Sequence, residues 1–232
     1  MNFDNFECLS FDCYGTLIDW ETGILSSLGP ILAAHEVKAS NEDLLELYGK
    51  AEAKIEAGLY TSYREVLKGV LSRIGDVLGF KPSREDLERF SVSVRDWPAF
   101  PDSPPALHAL ATRYRLVILS NIDDDLFRYS QKLLGVEFDH VCTAQQIGSY
   151  KPSRRNFEYL IRQTGVPKQK ILHVAQSLFH DIAPANEIGV STVWINRRQG
   201  LEGPGATPPV EAKPNVTVPD LHSLAVLTGV ML

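Results

Sequence analysis

Three cysteines in 232 residues, Cys8, Cys13 and Cys142, are too few and wrongly spaced for a disulfide framework or a zinc site. They are expected as reduced thiols in a core. No apolar stretch approaches the length that crosses a bilayer, and nothing near Met1 combines positive charge with a signal-length apolar run. No membrane partner is therefore expected, and a cytoplasmic location is. Basic character is scarce: 23 Lys and Arg stand against 29 Asp and Glu, a net charge of −6, with no basic run and no interleaved aromatic platform. That balance argues against nucleic acid as a partner. Internal repeats and low-complexity tracts are also missing. What is present is apolar material, 44% of residues, enough to bury one large domain or a core with one insertion.

The stretch Cys8-Leu9-Ser10-Phe11-Asp12-Cys13-Tyr14-Gly15-Thr16 organises the rest. An apolar run that ends on a carboxylate and a small-residue turn is how a buried parallel strand delivers a side chain to the carboxyl edge of a sheet, where open α/β folds bind ligands. Asp12 is the first candidate for chemistry. From residue 100 onward, apolar runs at 116–119, 138–143, 171–174, 193–195 and 216–218 alternate with helical periodicity at 105–114, 125–134, 156–163, 183–188 and 221–227. This alternation predicts an α/β fold with a doubly wound parallel sheet. Between the first two strands the pattern is helical throughout. One helix is expected at 21–37, bent or interrupted at Gly29-Pro30. Three more open at the capping patterns Ser40-x-x-Asp43, Ser62-x-x-Glu65 and Ser83-x-x-Asp86, the last ending before Trp97-Pro98. The expected division is a core of residues 1–17 and 99–232 and a four-helix cap of residues 18–98. Residues 200–214, with Gly203-Pro204-Gly205 and Pro208-Pro209, are expected as a surface loop.

The first stretch resembles the opening motif of the haloacid dehalogenase superfamily, whose Asp is a nucleophile. Superfamily phosphatases carry a second Asp two residues later; Tyr14 stands there instead, which resembles the 2-haloacid dehalogenase branch. Ser120-Asn121, Ser149-Tyr150-Lys151-Pro152 and Ala175-Gln176-Ser177-Leu178-Phe179-His180-Asp181 correspond in order to the other three motifs. The resemblance implies a Rossmann-like core and roles for these residues. Asp12 forms an ester with substrate carbon, Lys151 keeps Asp12 ionised, and Thr16 hydrogen-bonds it. Ser120 and Asn121, with backbone N–H groups after Asp12, grip a substrate carboxylate. Asp181 activates the water that cleaves the ester, with Gln176, Ser177 and His180 around it. A magnesium site wants several oxygen ligands, and Tyr14 and Gln176 replace two of them, so neither metal nor other cofactor is expected. The spacing before Asp181 is one residue longer than the Ser-Ser-Asn form of the dehalogenases.

Three further stretches, Asp19-Trp20-Glu21, Asp96-Trp97-Pro98-Ala99-Phe100-Pro101 and the fourth motif, resemble the azetidine-2-carboxylate hydrolase type within that branch. There a protonated ring nitrogen, released with ring strain, replaces halide as leaving group, and Trp20 or Trp97 would face the cation unless it serves only to pack cap on core. The expected activity is hydrolysis of a small 2-substituted carboxylate. Azetidine- or aziridine-2-carboxylate ranks first, an (S)-2-haloacid second, a phosphate ester third, and a binding module without turnover is the alternative to all three. An apolar face on the cap would support a homodimer.

Overall fold

The structure is a computed structural model that describes residues 1–201, 203 and 205–231. Its strands are β1 (Cys8–Phe11), β2 (Arg115–Ser120), β3 (His140–Thr143), β4 (Ile171–Ala175), β5 (Ser191–Ile195) and β6 (Val216–Val218). They form one parallel sheet in the order β3-β2-β1-β4-β5-β6. Leu9 of β1 pairs with Leu116 on one side and Leu172 on the other, so β1 lies inside the sheet, and its four residues are all buried. Strands covered on both faces read as continuous apolar runs rather than alternating ones, which is the pattern these segments carry. After β1 the chain builds outward through β2 and β3, then returns to the other side through β4, β5 and β6. The carboxyl ends of β1, β2 and β4 therefore open on one crevice.

Five α-helices lie between β1 and β2, and the first four form the insertion: α1 (Trp20–Ala34), α2 (Asn41–Glu56), α3 (Tyr63–Leu78) and α4 (Arg84–Ser91). Ser40, Ser62 and Ser83 cap the last three, each accepting from the backbone N–H three residues on. Caps of this kind are worth about 1 kcal/mol each. Of the two outcomes expected at Gly29-Pro30, interruption does not occur: α1 is continuous through it. Buried residues on both sides of Pro30 (Trp20, Ile24 and Leu28 before it, Ile31 and Leu32 after) anchor the helix to its neighbours, which offsets the roughly 3 kcal/mol that an interior proline costs. The core helices are α5 (Ser103–Ala111), α6 (Asp124–Leu134), α7 (Ala144–Ile147), α8 (Arg154–Thr164), α9 (Ala183–Ile188) and α10 (Leu221–Thr228). The short α7 was not expected; Thr143 caps it by accepting from Gln146 N–H at 3.2 Å.

The insertion is clamped to the core at the start of α3. Asp123, after β2, accepts the free N–H groups of Tyr63 (2.9 Å) and Arg64 (3.1 Å), the position where a helix favours an anion. Tyr150 Oη adds a bond to the Thr61 carbonyl at 2.8 Å. The 200–214 segment is a loop, as expected, and among its described residues only Gly205, Ala206 and Thr207 are buried. Ala206 is fully buried and donates to Glu21 Oε1 at 3.1 Å, and Arg198 pairs with the same carboxylate, so the loop packs against the insertion. Two of its members, Glu202 and Pro204, lie outside the described residues. Among the described residues no helix is long and apolar enough to cross a membrane.

Candidate active site

Asp12 follows β1 directly, and the chain must turn at once to leave its carboxylate facing the crevice. Gly15 makes that turn at φ +90°, with Trp20 Nε1 2.9 Å and Gln176 Oε1 3.1 Å from where a Cβ would sit, so only glycine fits. Both carboxylate oxygens of Asp12 are held. Lys151 Nζ donates to Oδ1 at 2.8 Å, and Thr16 Oγ1 donates to Oδ2 at 2.8 Å while accepting from Gln176 N–H at 2.9 Å. Lys151 also donates to Asp181 Oδ1 (2.7 Å) and to the Leu119 carbonyl (3.0 Å), which exhausts its three protons. Its side chain is fully buried. Burial alone would lower its pKa, but the two carboxylates outweigh burial and hold the ammonium above its ordinary range.

Asp181 sits in a single π-type turn, Leu178–Ile182, between β4 and α9. Its Oδ1 accepts from Lys151 and, at 2.8 Å, faces Nε2 of His173, whose Nδ1 lies 2.9 Å from Ser10 Oγ. Its Oδ2 is buried with no hydrogen-bond partner. Burial raises the Asp181 pKa, but Lys151 and His173 reverse this and hold the group below the usual carboxylate range. For Asp12 burial wins: with Asp181 adding to it and Lys151 and Thr16 opposing, its carboxyl lies above the usual range. One ammonium thus serves two carboxylates of unequal acidity, the condition that separates their roles.

The opposite wall comes from the insertion. Tyr48, Glu52 and Glu56 recur every four residues on one face of α2, and Tyr63 joins them from the start of α3. Tyr48 Oη (3.0 Å) and Tyr63 Oη (2.7 Å) both donate to Glu52 Oε1. Glu56 Oε2 accepts from Asn121 Nδ2 at 3.0 Å, and its Oε1 is buried without a partner. Burial pushes Glu52 up to about 7, and Glu56 is raised as well, first by burial and then by Glu52. His180 Nε2 stands 3.8 Å from Glu56 Oε2, but burial pushes that imidazole down to about 4, so it carries no charge at neutral pH.

Between the walls lies a cavity of about 30 Å³, room for roughly two water molecules. Asp12, Tyr14, Trp20, Ser120, Asn121, Lys151, Ser177, His180 and Asp181 line it, together with Glu52, Glu56 and Tyr63. Ser120 Oγ is buried there without a partner. Asn121 lines the cavity with its side chain already spent, since Oδ1 accepts from Lys151 N–H (2.7 Å) and Nδ2 donates to Glu56 and to the Lys151 carbonyl (3.1 Å). Ser177 contributes its hydroxyl to the backbone N–H of His180 at 2.9 Å. Gln176 is not brought in: its backbone holds Thr16 and Trp194, while its side chain faces Thr207. Trp20 reaches the cavity and packs edge-on against Tyr48, whereas Trp97 is fully buried between Tyr14 and Gly23, where it packs insertion on core. Cys13 is also buried, which raises its thiol well above the ordinary value and leaves it unreactive.

Sequence reasoning missed His173, Glu52 and Glu56. A lone histidine in an apolar strand gives little signal, but acids at a four-residue spacing beyond the apolar stripe of α2 do mark one face. The site does not fit a divalent cation. Lys151 Nζ lies between the two carboxylates that would hold one, and among the described residues no group of three or more His, Cys, Asp or Glu is arranged as a metal site.

Residues 6–189 match the family described as haloacid dehalogenase-like hydrolase. (S)-2-haloacid dehalogenase 1 of Pseudomonas sp. (strain CBS-3) is 24% identical over 202 residues, 84% of this chain and 86% of the relative. (S)-2-haloacid dehalogenase 4A of Burkholderia cepacia is 24% identical over 203 residues, 84% and 85% of the two chains. In fold, the chain is similar to the L-2-haloacid dehalogenase from Xanthobacter autotrophicus with chloropropionic acid covalently bound (TM-score 0.80, 21% identity, 98% of this chain and 100% of that one). The parallel sheet, the aspartate directly after β1 and this family match over most of the length agree: the chain belongs to the haloacid dehalogenase-like hydrolases.

Proposed function

We propose that the protein hydrolyses a small 2-substituted carboxylate through an ester on Asp12. The observation that carries this is the pairing of two aspartates on one buried lysine, Asp12 with both oxygens held and Asp181 with one oxygen unpartnered in the same cavity. An Asp12 oxygen attacks C2 of the substrate, the C2–X bond breaks, and its electron pair departs with X. A water deprotonated by Asp181 then attacks the ester carbonyl carbon, releasing a 2-hydroxy acid and regenerating Asp12. Ser120, whose buried hydroxyl has no partner in the cavity, meets the substrate carboxylate on this reading. On this reading the helical insertion acts as a cap that excludes water from the first step.

Two leaving groups compete. The motif wording around Trp20 and Asp181 favours a strained ring nitrogen, as in azetidine- or aziridine-2-carboxylate, and Trp20 lines the cavity. The names of the relatives favour halide, which makes an (S)-2-haloacid the second reading. Mass spectrometry of products from chelator-treated protein given L-azetidine-2-carboxylate, aziridine-2-carboxylate and (S)-2-chloropropionate together separates them. A ring-opened hydroxy amino acid supports the first and lactate the second; no product from any of them overturns the proposal. A single turnover in heavy-oxygen water should place a protein oxygen in the product, and direct incorporation from water would sink the ester.

A further inference from the structure

The cavity has an excess of carboxylates over cations, and the excess is all on one side. Lys151 spends its three protons on Asp12, Asp181 and the Leu119 carbonyl. Among the described residues, Lys151 is the one cationic side chain that lines the cavity, and no Lys or Arg forms an ion pair or hydrogen bond with Glu52 or Glu56. The groups facing them are the phenols of Tyr48 and Tyr63, the Asn121 amide and the His180 imidazole, with Asp12 and Lys151 across the cavity. The Glu56 side chain is only 4% exposed, and its Oε1 has no partner at all. A buried acceptor left open is costly unless something donates to it in the working state.

We infer that Glu52 and Glu56 form a cradle for a positively charged nitrogen on the substrate, beside the carbon that Asp12 attacks. This deepens the proposed function and rests on it: it assigns specificity for 2-substituted carboxylates whose substituent is a ring ammonium. Glu56 Oε1 takes one N–H of the ring nitrogen and the free side of Glu52 takes the other. The reacting carbon is thereby turned toward Asp12 and the substrate carboxylate toward Ser120. When the C2–N bond breaks, its electron pair stays on nitrogen, which leaves as a neutral primary amine already carrying two protons. Both glutamates are raised in the empty protein, by burial first, so a cation arriving between them also draws out a proton.

The test reads binding in the full-length Asp12→Asn protein, which cannot form the ester, by calorimetry with L-azetidine-2-carboxylate and with cyclobutanecarboxylate, its neutral isostere. The azetidine should bind about 100-fold more tightly, with proton release at pH 6 to 7 where Glu52 is still largely protonated, and Glu56→Gln or Glu52→Gln on that background should remove most of the preference. Equal affinities, or a preference that survives both substitutions, overturn the cradle. A preference that follows added K⁺ or Na⁺ at constant ionic strength overturns it too, in favour of an inorganic cation. If a glutamine variant fails to fold, the comparison of the two ligands in Asp12→Asn alone still decides. Cation preference without turnover by the wild type keeps the cradle and sinks the ring-opening chemistry; turnover without preference does the reverse.

Discussion

The two walls of the cavity are built from the same residue type and treat it in opposite ways. On the core side each carboxylate has a cation: Asp12 and Asp181 share Lys151 at 2.8 and 2.7 Å, and His173 faces Asp181 at 2.8 Å. On the insertion side Glu52 and Glu56 have phenols, an amide and an uncharged imidazole. The core wall is finished before any ligand arrives, as preorganised electrostatics require. The insertion wall is unfinished, and its acids lie above their ordinary range because burial desolvates them and no paired cation offsets it. Chemistry that must not vary between substrates belongs on the first kind of surface, and selection among substrates on the second.

The largest effect should come from breaking the core wall at its centre. Asp12→Asn keeps the shape and removes the proposed nucleophile, so turnover should fall about 10⁴-fold or more, with no covalent adduct in intact-protein mass spectra. Asp181→Asn should leave ester formation and slow its hydrolysis about 10²- to 10⁴-fold. The mass of the trapped Asp12 ester is the readout, and its absence would assign the base elsewhere. Lys151→Met leaves two buried carboxylates facing each other without a cation. A loss of about 3–5 kcal/mol in urea unfolding at pH 7 is expected, smaller near pH 4 where the pair protonates.

The core wall was far more legible in the sequence than the insertion wall, for a physical reason. Asp12, Ser120 and Lys151 follow apolar runs or sit in a compact motif, and the parallel sheet itself gathers strand ends on one edge. The capping serines were readable because a cap is a contact over three residues. Glu52 and Glu56 were not, because an acid on a helix in a charged stretch reads as a solvated face until its neighbours are known. His173 was hidden by the strand that buries it. Gln176 misled in the other direction: one residue past β4, its backbone serves the site while its side chain faces the 200–214 loop. The uninterrupted α1 shares a cause with these misses, since long-range packing overrides what Pro favours locally.

The smallest effect tests whether the insertion wall is electrostatically unfinished in the empty protein. Glu52 ionises at about 7 in the folded chain against an ordinary 4.5. A folded pKa above the unfolded one means that the stability it contributes is complete below about pH 4.5 and is lost as pH rises through 7. At about 1.4 kcal/mol per pH unit the loss cannot exceed about 4 kcal/mol. Glutamine does not titrate and still accepts from Tyr48 and Tyr63 through its carbonyl oxygen, so Glu52→Gln should match the wild type or fall slightly below it at pH 5 and exceed it at pH 8.5. Urea midpoints at the two pH values, without ligand, measure the difference. A gap that stays flat between pH 5 and 8.5 would mean that Glu52 already has a counter-charge, and the contrast between the two walls would then be one of shape rather than of charge.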